Sequence, residues 1–192
     1  MTKSKKLSEE QHDMKKNYFF NMDGVLATYD RDAYIGQNPL FLQPHVHYFR
    51  NLEPDMKMLS VMDGLWSYIR CHRLQDEIYI ITSIANNGAL FNEHLHDKLE
   101  WVSKWIPYFP IDHVFACVSS KRDIFEMISN RKLIPNHDIL IDDYNKNLIE
   151  WREADGTAIK YLNGINSSES WDGKKVHHNA DKESIIQSLI TI

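Results

Sequence analysis

The feature that most constrains the fold is a series of short apolar runs, each of which ends in small or polar residues. Within a run the residues are apolar on both faces, as in the strands of a parallel sheet that is covered by helices on both sides. The runs are YFF (18–20), IYIIT (78–82), HVFACV (113–118), DILIDD (138–143) and a weaker one, TAIKYL (157–162).

Apolar residues between these runs recur at helical spacing. Met58, Leu59, Met62 and Leu65 follow Pro54, a residue that suits the first turn of a helix. Further helices are predicted over 89–106, 121–130, 145–153 and 182–190. The alternation of strand and helix predicts an α/β/α sandwich with a parallel sheet.

The length of 192 residues suits one domain. We expect the polar residues 1–16 to form a frayed leader and residues 17–192 to form the domain. Residues 28–52 contain two prolines and many aromatic residues and follow the first strand directly, which predicts a small cap inserted after that strand. The polar stretch 174–182 is interpreted as a solvated loop before the last helix.

Composition and charge exclude several classes of protein. The net charge of −5 argues against a nucleic-acid polymer as the main partner. The chain lacks a signal-peptide-like apolar region and any apolar run near the roughly 20 residues that span a bilayer, so we expect a cytoplasmic protein without a membrane partner. Cys71 and Cys117 are interpreted as two buried thiols, with a disulfide as the alternative. The histidines of HVH (45–47) and EHLH (93–96) are interpreted as surface or cap residues, because neither an HExxH motif nor a cysteine pair accompanies them.

Polar residues follow four of the predicted strands. Since the carboxyl ends of parallel strands meet at one edge of a sheet, we expect these clusters to lie together. Carboxylates are ligands that suit Mg²⁺, and a lysine with hydroxyl groups can hold phosphate oxygens. Each cluster alone is compatible with an ordinary turn or helix cap, but four in this order favour a site. The clusters are Asn21–Gly24, Thr82–Ser83, Ser119–Lys121 and Asp142–Asp143.

The order of these motifs resembles the haloacid dehalogenase-like phosphatases, and in particular their 5'(3')-deoxyribonucleotidase branch. In that superfamily a DxDG turn after the first strand is followed by a Thr or Ser, a Lys and an acidic pair. The resemblance extends over about residues 18–171. The segments that carry it are MDGVLA, NLEP, the TS after the second strand, KLEWVSKW, LIDD and the late Trp171.

The resemblance implies a Mg²⁺-dependent phosphomonoesterase that hydrolyses a nucleotide or a nucleotide-derived phosphate through an aspartyl-phosphate. Asn21 then occupies the nucleophile position, and Asp23 would be the general acid and base and would also bind Mg²⁺ through its carbonyl oxygen. Gly24 would allow the sharp turn beside the phosphate. Asn21 would also be a metal ligand.

The resemblance assigns the remaining site residues to phosphate, base and metal. Thr82, Ser83 and Lys121 would bind the phosphoryl group, and Tyr29 would pack near the base. Asp143 would be a direct Mg²⁺ ligand, and Asp142 either a second ligand or a partner of the ligands. A phosphorylated small molecule is therefore the expected partner, and a homodimer stays open.

Two features depart from that branch. An amide at position 21 is a poor nucleophile and carries no charge to offset Mg²⁺. Asn21 is either a substitution that traps substrate or the natural residue of a protein that binds a phosphorylated small molecule without cleaving it. The segment between Asp23 and NLEP is also about half as long as the branch leads us to expect, which predicts a more open site.

Overall fold

The computed structural model describes residues 15–31, 38–166 and 170–192. Most of the predicted leader, residues 1–14, lies outside this part of the chain, as do residues 32–37 of the predicted cap. The six strands are β1 (Asn17–Asn21), β2 (Glu77–Ser83), β3 (Val114–Cys117), β4 (Asp138–Asp142), β5 (Thr157–Leu162) and β6 (Lys174–His177). The described residues form five α-helices, α1 (Met56–Cys71), α2 (Gly88–Trp105), α3 (Lys121–Ser129), α4 (Asn145–Glu153) and α5 (Lys182–Ile190).

The strands form one parallel sheet with the order β3-β2-β1-β4-β5-β6. Every residue of β1 and β4 is buried, because both strands are central and both faces of the sheet are covered. The chain runs outward in one direction from β1 to β3 and in the other direction from β4 to β6. The direction therefore reverses between β1 and β4, which makes this the place where such sheets bind ligands.

Two apolar clusters occupy the two faces of the sheet. Because successive strand residues point to opposite faces, Phe20 and Phe19 enter different clusters. Phe20 packs in the cluster to which α1, α2 and α5 contribute, with Trp101 of α2 at its centre. Phe19 packs with Phe125 of α3 and Trp151 of α4 in the other. The predicted α/β/α sandwich with a parallel sheet is thus confirmed.

The predicted helices after Pro54 and over 89–106, 121–130, 145–153 and 182–190 are confirmed to within a few residues. Part of the predicted loop 174–182 is instead the edge strand β6, whose side chains are exposed except for that of Val176. Of the two cysteines, Cys117 is buried as predicted, but Cys71 is exposed, and both are free thiols. His94 is also buried rather than on the surface. Among the described residues, no helix combines the length and the apolar character that crossing a membrane would require.

The described part of the predicted cap folds onto α2. It contains two short 3₁₀ turns, Leu40–Leu42 and Phe49–Asn51. A ring nitrogen of His94 in α2 lies 2.8 Å from the carbonyl oxygen of Phe41, and the indole of Trp101 donates to the carbonyl of Leu52 at 2.7 Å. These contacts tie both ends of the segment to the helix that carries Lys98 toward the sheet.

Candidate active site

The candidate active site lies at the carboxyl ends of β1, β2 and β4. Asn21 is the last residue of β1, Asp142 is the last residue of β4, and Thr82 lies one residue before the end of β2. Asn21 and Asp142 therefore face the crevice between the two central strands. The parallel register brings together residues that are more than a hundred positions apart in the sequence.

Gly24 allows the chain to turn tightly after β1. Its φ angle of 82° lies in the left-handed region, which residues with a side chain adopt at a cost. A Cβ atom at this position would also clash with the carboxylate of Asp143. The glycine therefore lets the backbone of the turn approach the acidic pair after β4.

The side-chain amide of Asn21 points into a group of oxygen atoms. Its Nδ2 donates to the carbonyl oxygen of Asp23 at 2.7 Å. The same nitrogen lies 3.3 Å from Oδ1 of Asp142 and 3.5 Å from Oδ1 of Asp143. A hydrogen-bond donor thus occupies the point where three oxygens converge, a point that favours positive charge.

Asp23 is held by a lysine that the sequence reasoning did not single out. Lys98 of α2 forms an ion pair with Oδ2 of Asp23 and donates to Oγ1 of Thr82 at 2.7 Å. Burial lowers the pKa of the Lys98 ammonium, although the Asp23 carboxylate opposes this shift. Oδ1 of Asp23 is buried without a hydrogen-bond partner among the described residues, so it is open to a ligand.

Sequence spacing carries a signal for Lys98. It lies three and four residues before Trp101 and Val102, which are both buried in the core. Residues at this spacing share one face of a helix, so Lys98 had to face the protein interior. A lysine in that position needs a buried anionic partner, which is Asp23.

Asp142 is bound closely by its neighbours. Lys121, the first residue of α3, donates to Oδ2 of Asp142 at 2.6 Å, and both side chains are buried. Asn147 donates to the same oxygen at 2.9 Å, and the backbone nitrogen of Tyr144 donates to Oδ1 at 2.8 Å. The ammonium that the sequence assigned to phosphate is thus anchored on the acidic pair at the edge of the site.

Asp143 has neutral hydrogen-bond donors instead. Asn163 donates to its Oδ2 at 3.0 Å, and the hydroxyl of Tyr29 donates to the same atom at 3.3 Å. Burial, followed by the charge of Asp142, raises the pKa of the Asp143 carboxyl to about 7. A bound cation would reverse this shift.

The serines of the predicted clusters line a neighbouring cavity. Ser83, Ser119 and Ser120 face a cavity of about 420 Å³, with Asn147 on its far side. Ser120 also caps α3 by accepting a hydrogen bond from the backbone nitrogen of Asp123 at 3.1 Å. The volume is within the range of small-molecule sites, so the cavity could hold part of a ligand.

The structure brings most of the predicted residues together. The core of the site contains Asn21, Asp23, Gly24, Tyr29, Thr82, Lys121, Asp142 and Asp143, and Ser83 lies at its margin. Lys98 and Asn163 are the additions.

Comparisons with known proteins show what the whole chain is similar to. The chain is 24% identical over 199 aligned residues to the 5'(3')-deoxyribonucleotidases of Bacillus subtilis (strain 168) and of Bacillus phage SPbeta, and the alignment covers 92% of this chain and 94% of each relative. No protein-family profile matches the chain.

Two solved structures share the fold. One is a D,D-heptose 1,7-bisphosphate phosphatase from B. bronchiseptica in complex with magnesium and phosphate, with a TM-score of 0.59 at 12% identity over 92% of this chain and 98% of that one. The other is a haloacid dehalogenase-like hydrolase from Streptococcus pneumoniae, with a TM-score of 0.52 at 12% identity over 91% and 98%. At this level of identity the two structures show what fold the chain has. The chain therefore has the haloacid dehalogenase-like hydrolase fold, and it resembles 5'(3')-deoxyribonucleotidases over nearly its whole length.

Proposed function

We propose that the chain binds the phosphate of a nucleotide, or of a nucleotide-derived small molecule, in a Mg²⁺-dependent phosphomonoesterase site whose nucleophile position is occupied by Asn21. The observation that carries this proposal is the convergence of Asn21, Asp23, Thr82 and the acidic pair at one edge of the sheet. The deoxyribonucleotidase relatives support the nucleotide as the substrate class. A cytoplasmic location and a homodimer stay predictions.

The donor set fits Mg²⁺. The carbonyl oxygen of Asp23 and the carboxylates of Asp142 and Asp143 surround the point at which the Asn21 amide donates. Mg²⁺ prefers such oxygen ligands, and half a turn of the amide would present Oδ1 of Asn21 as a further one. When bound, the ion would supply the positive charge that phosphate oxygens need beside two carboxylates.

The protein's own residues have distinct roles in this proposal. The ammonium of Lys121 and the hydroxyl of Thr82 would bind phosphate oxygens. The ion pairs of Lys98 with Asp23 and of Lys121 with Asp142 leave the site without a net positive charge of its own. Asp23, with Oδ1 open to a ligand, is placed to transfer a proton to a leaving alcohol once position 21 carries a nucleophile. Lys98 is a positioning residue that fixes the Asp23 carboxylate from its other oxygen. Asn21 has no anionic oxygen to attack phosphorus, so the aspartyl-phosphate does not form.

One observation favours a second function, the binding of a phosphorylated small molecule without hydrolysis. The Nδ2 atom of Asn21 finds acceptors in the Asp23 carbonyl and in the acidic pair. An aspartate would place an anionic oxygen against those same acceptors and would need a cation there. A site arranged around an amide suits a protein that retains its ligand.

The decisive variant is Asn21→Asp. We expect it to release phosphate from a nucleoside monophosphate in the presence of Mg²⁺, faster than the Asn21 protein by several orders of magnitude, because aspartate supplies the anionic oxygen that the amide lacks. Each tenfold in rate corresponds to about 1.4 kcal/mol of barrier. Phosphate release is measured over a panel of nucleotides and one chromogenic phosphate ester. The double variant Asn21→Asp/Asp23→Asn is the matched control, and it should lose the gained activity.

Three outcomes separate the alternatives. Activity of Asn21→Asp, lost again in the double variant, supports the phosphomonoesterase site. Tight nucleotide binding by both proteins without any phosphate release supports the binding protein. Full activity of the protein with Asn21 would contradict the assignment of position 21 to the nucleophile.

A further inference from the structure

A second cluster of metal-ligating side chains lies outside the phosphate site, where the predicted cap meets α2. His47 of the cap segment places its Nδ1 atom 2.9 Å from Oδ1 of Asp97 in α2. Glu93 lies one helical turn before Asp97, and the ligand atoms of all three residues lie within 4.8 Å of one another. Sequence reasoning found no transition-metal motif here, because one ligand comes from a segment some fifty residues from the other two.

Asp97 supplies an independent sign of a missing ligand. Its side chain is 1% exposed, yet Oδ2 has no hydrogen-bond partner among the described residues. A buried carboxylate oxygen without a partner is costly, since the group has lost its water and gained nothing in exchange. The side chains of His47 and Glu93, which flank it, are only partly buried, so an ion could reach the cluster from solvent.

The local charge also leaves room for a divalent cation. Arg50 approaches Asp97 at 3.6 Å and Glu100 at 2.9 Å. The cluster holds three carboxylates, those of Glu93, Asp97 and Glu100, and the one guanidinium contacts two of them. This leaves two negative charges when His47 is neutral. One divalent ion would balance them.

From this geometry we propose that His47, Glu93 and Asp97 form a Zn²⁺ site that fastens the cap segment to α2. The imidazole nitrogen and carboxylate oxygens are a ligand set that Zn²⁺ favours, whereas Mg²⁺ prefers oxygen alone. Tetrahedral coordination at about 2.0–2.1 Å requires ligand atoms roughly 3.3 Å apart, so small side-chain rotations suffice. Water would be the fourth ligand. Nδ1 of His47 would bind the ion as an unprotonated nitrogen, and Nε2 would carry the ring proton.

The position of the cluster gives it a consequence for the phosphate site. Asp97 directly precedes Lys98, which is the lysine that holds Asp23. The Phe49 ring of the same cap segment lies 3.9 Å beneath the Lys98 ammonium. An ion that joins the cap segment to this turn of α2 therefore stabilises the frame around Lys98 without touching the phosphate ligands.

The test is calorimetric titration of ZnCl₂ into the whole protein, in a buffer with excess Mg²⁺ and without any phosphorylated ligand. We expect one Zn²⁺ per chain and an increase in the melting temperature. His47→Gln and Glu93→Gln should each weaken binding by about tenfold or more. Glu93→Gln keeps one acceptor oxygen, which suffices for the shorter of the two hydrogen bonds, from the backbone nitrogen of His45 at 2.7 Å, and it loses the longer one from that of His47 at 3.3 Å. Circular dichroism checks that the fold is kept.

Two matched controls test the assignment. His45→Gln changes an exposed histidine of the same segment, 3.9 Å from Glu93, and should leave the affinity unchanged. His96→Gln changes the histidine of an overlapping group with Asp97 and Glu100, and it should also have no effect. The proposal is wrong if the protein binds no Zn²⁺, if His47→Gln binds as tightly as the parent, or if His96→Gln is the variant that loses binding. Since no nucleotide is present, these outcomes are independent of the proposed function.

Discussion

The two ends of β4 both carry buried carboxylates, but only one end leaves a carboxylate without a cationic partner. At the start of the strand, Arg131 binds Asp138 through two nitrogens at 2.6 and 2.8 Å. Asn17 and the backbone nitrogen of Ile134 each donate to Asp138 at 2.8 Å. At the other end, Lys121 neutralises Asp142, whereas the hydrogen bonds that described side chains donate to the Asp143 carboxylate come from uncharged groups.

This difference separates a carboxylate that the fold itself satisfies from one that we propose to bind a metal ion. Asp138 has its cation and its hydrogen bonds within the fold, so it has no need of a ligand. Asp143 is also buried, but a bound cation would be required to compensate the charge of its carboxylate. A cavity of about 490 Å³ lies near the start of β4, and Arg131 is one of the residues that line it. Because the guanidinium of Arg131 is already bound to Asp138, it does not need an anionic ligand in this cavity. Polar groups without a charge or hydrogen-bond partner are thus a better guide to function here than the size of a cavity.

The largest effect is expected when the cation is removed at the functional end. Lys121→Met should lower the free energy of unfolding by about 3–5 kcal/mol, because it leaves the buried Asp142 carboxylate unpaired. Denaturant unfolding with Mg²⁺ present measures the loss.

Arg131→Met is the matched control for Lys121→Met. It should cost roughly 2–3 kcal/mol, which is less because the Arg131 side chain is 37% exposed. Only Lys121→Met should also weaken the binding of a nucleoside monophosphate. Equal nucleotide affinities for the two variants would remove Lys121 from the phosphate site.

An effect of opposite sign is expected from Asp143→Asn. The folded protein raises the pKa of this carboxyl from 3.8 to about 7, so the folded state holds the proton more tightly than the unfolded chain does. The resulting stabilisation is present below pH 3.8 and is lost as the pH rises through about 7. The slope for one proton is at most about 1.4 kcal/mol per pH unit.

The measurement compares the two proteins in EDTA. In urea unfolding between pH 4 and 8, the free energy of unfolding of the parent should decrease with rising pH relative to that of Asp143→Asn. The decrease should be at most about 1.4 kcal/mol per pH unit. Addition of Mg²⁺ should stabilise the parent at pH 8 and should have no effect on the variant. Identical pH dependence in EDTA would show that the Asp143 carboxyl titrates normally, and an equal response to Mg²⁺ would exclude it as a metal ligand.

The carboxylates at the strand ends could be predicted from the sequence, because the pattern that marks them is local. The end of β4 reads DILIDD, and an apolar strand that ends in two carboxylates at a ligand-binding edge is visible in the sequence. Asn21, Asp23 and Thr82 were found in the same way. The strand β6 was missed because an edge strand with a single buried residue, Val176, has no apolar run.

The side chains that pair with these carboxylates were harder to predict from the sequence. Which of Asp142 and Asp143 receives Lys121 depends on the angle at which α3 leaves the sheet, and spacing does not fix that angle. Lys98 and Asp23 are 75 residues apart, so their contact follows only from the packing of α2 on the sheet. His47 and Asp97 meet for the same reason, through the path of the cap segment.

The smallest effect is expected from Tyr29→Phe, which tests how far neutral donors stabilise the Asp143 carboxylate. The Tyr29 hydroxyl donates to Oδ2 of Asp143 over 3.3 Å, a long hydrogen bond that lowers the carboxyl pKa only slightly against burial. Its loss should raise that pKa further and shift the midpoint of the pH-dependent stability in EDTA upward by less than about one pH unit, or under about 1.4 kcal/mol. Tyr29→Phe/Asp143→Asn should match Asp143→Asn alone in its pH dependence, because the group that senses the hydroxyl is gone. A midpoint that moves downward, or a shift that survives in the double variant, would mean that the Tyr29 hydroxyl acts on another group. A shift of the midpoint by several pH units would mean that one neutral donor stabilises the Asp143 carboxylate as strongly as we expect of a cation.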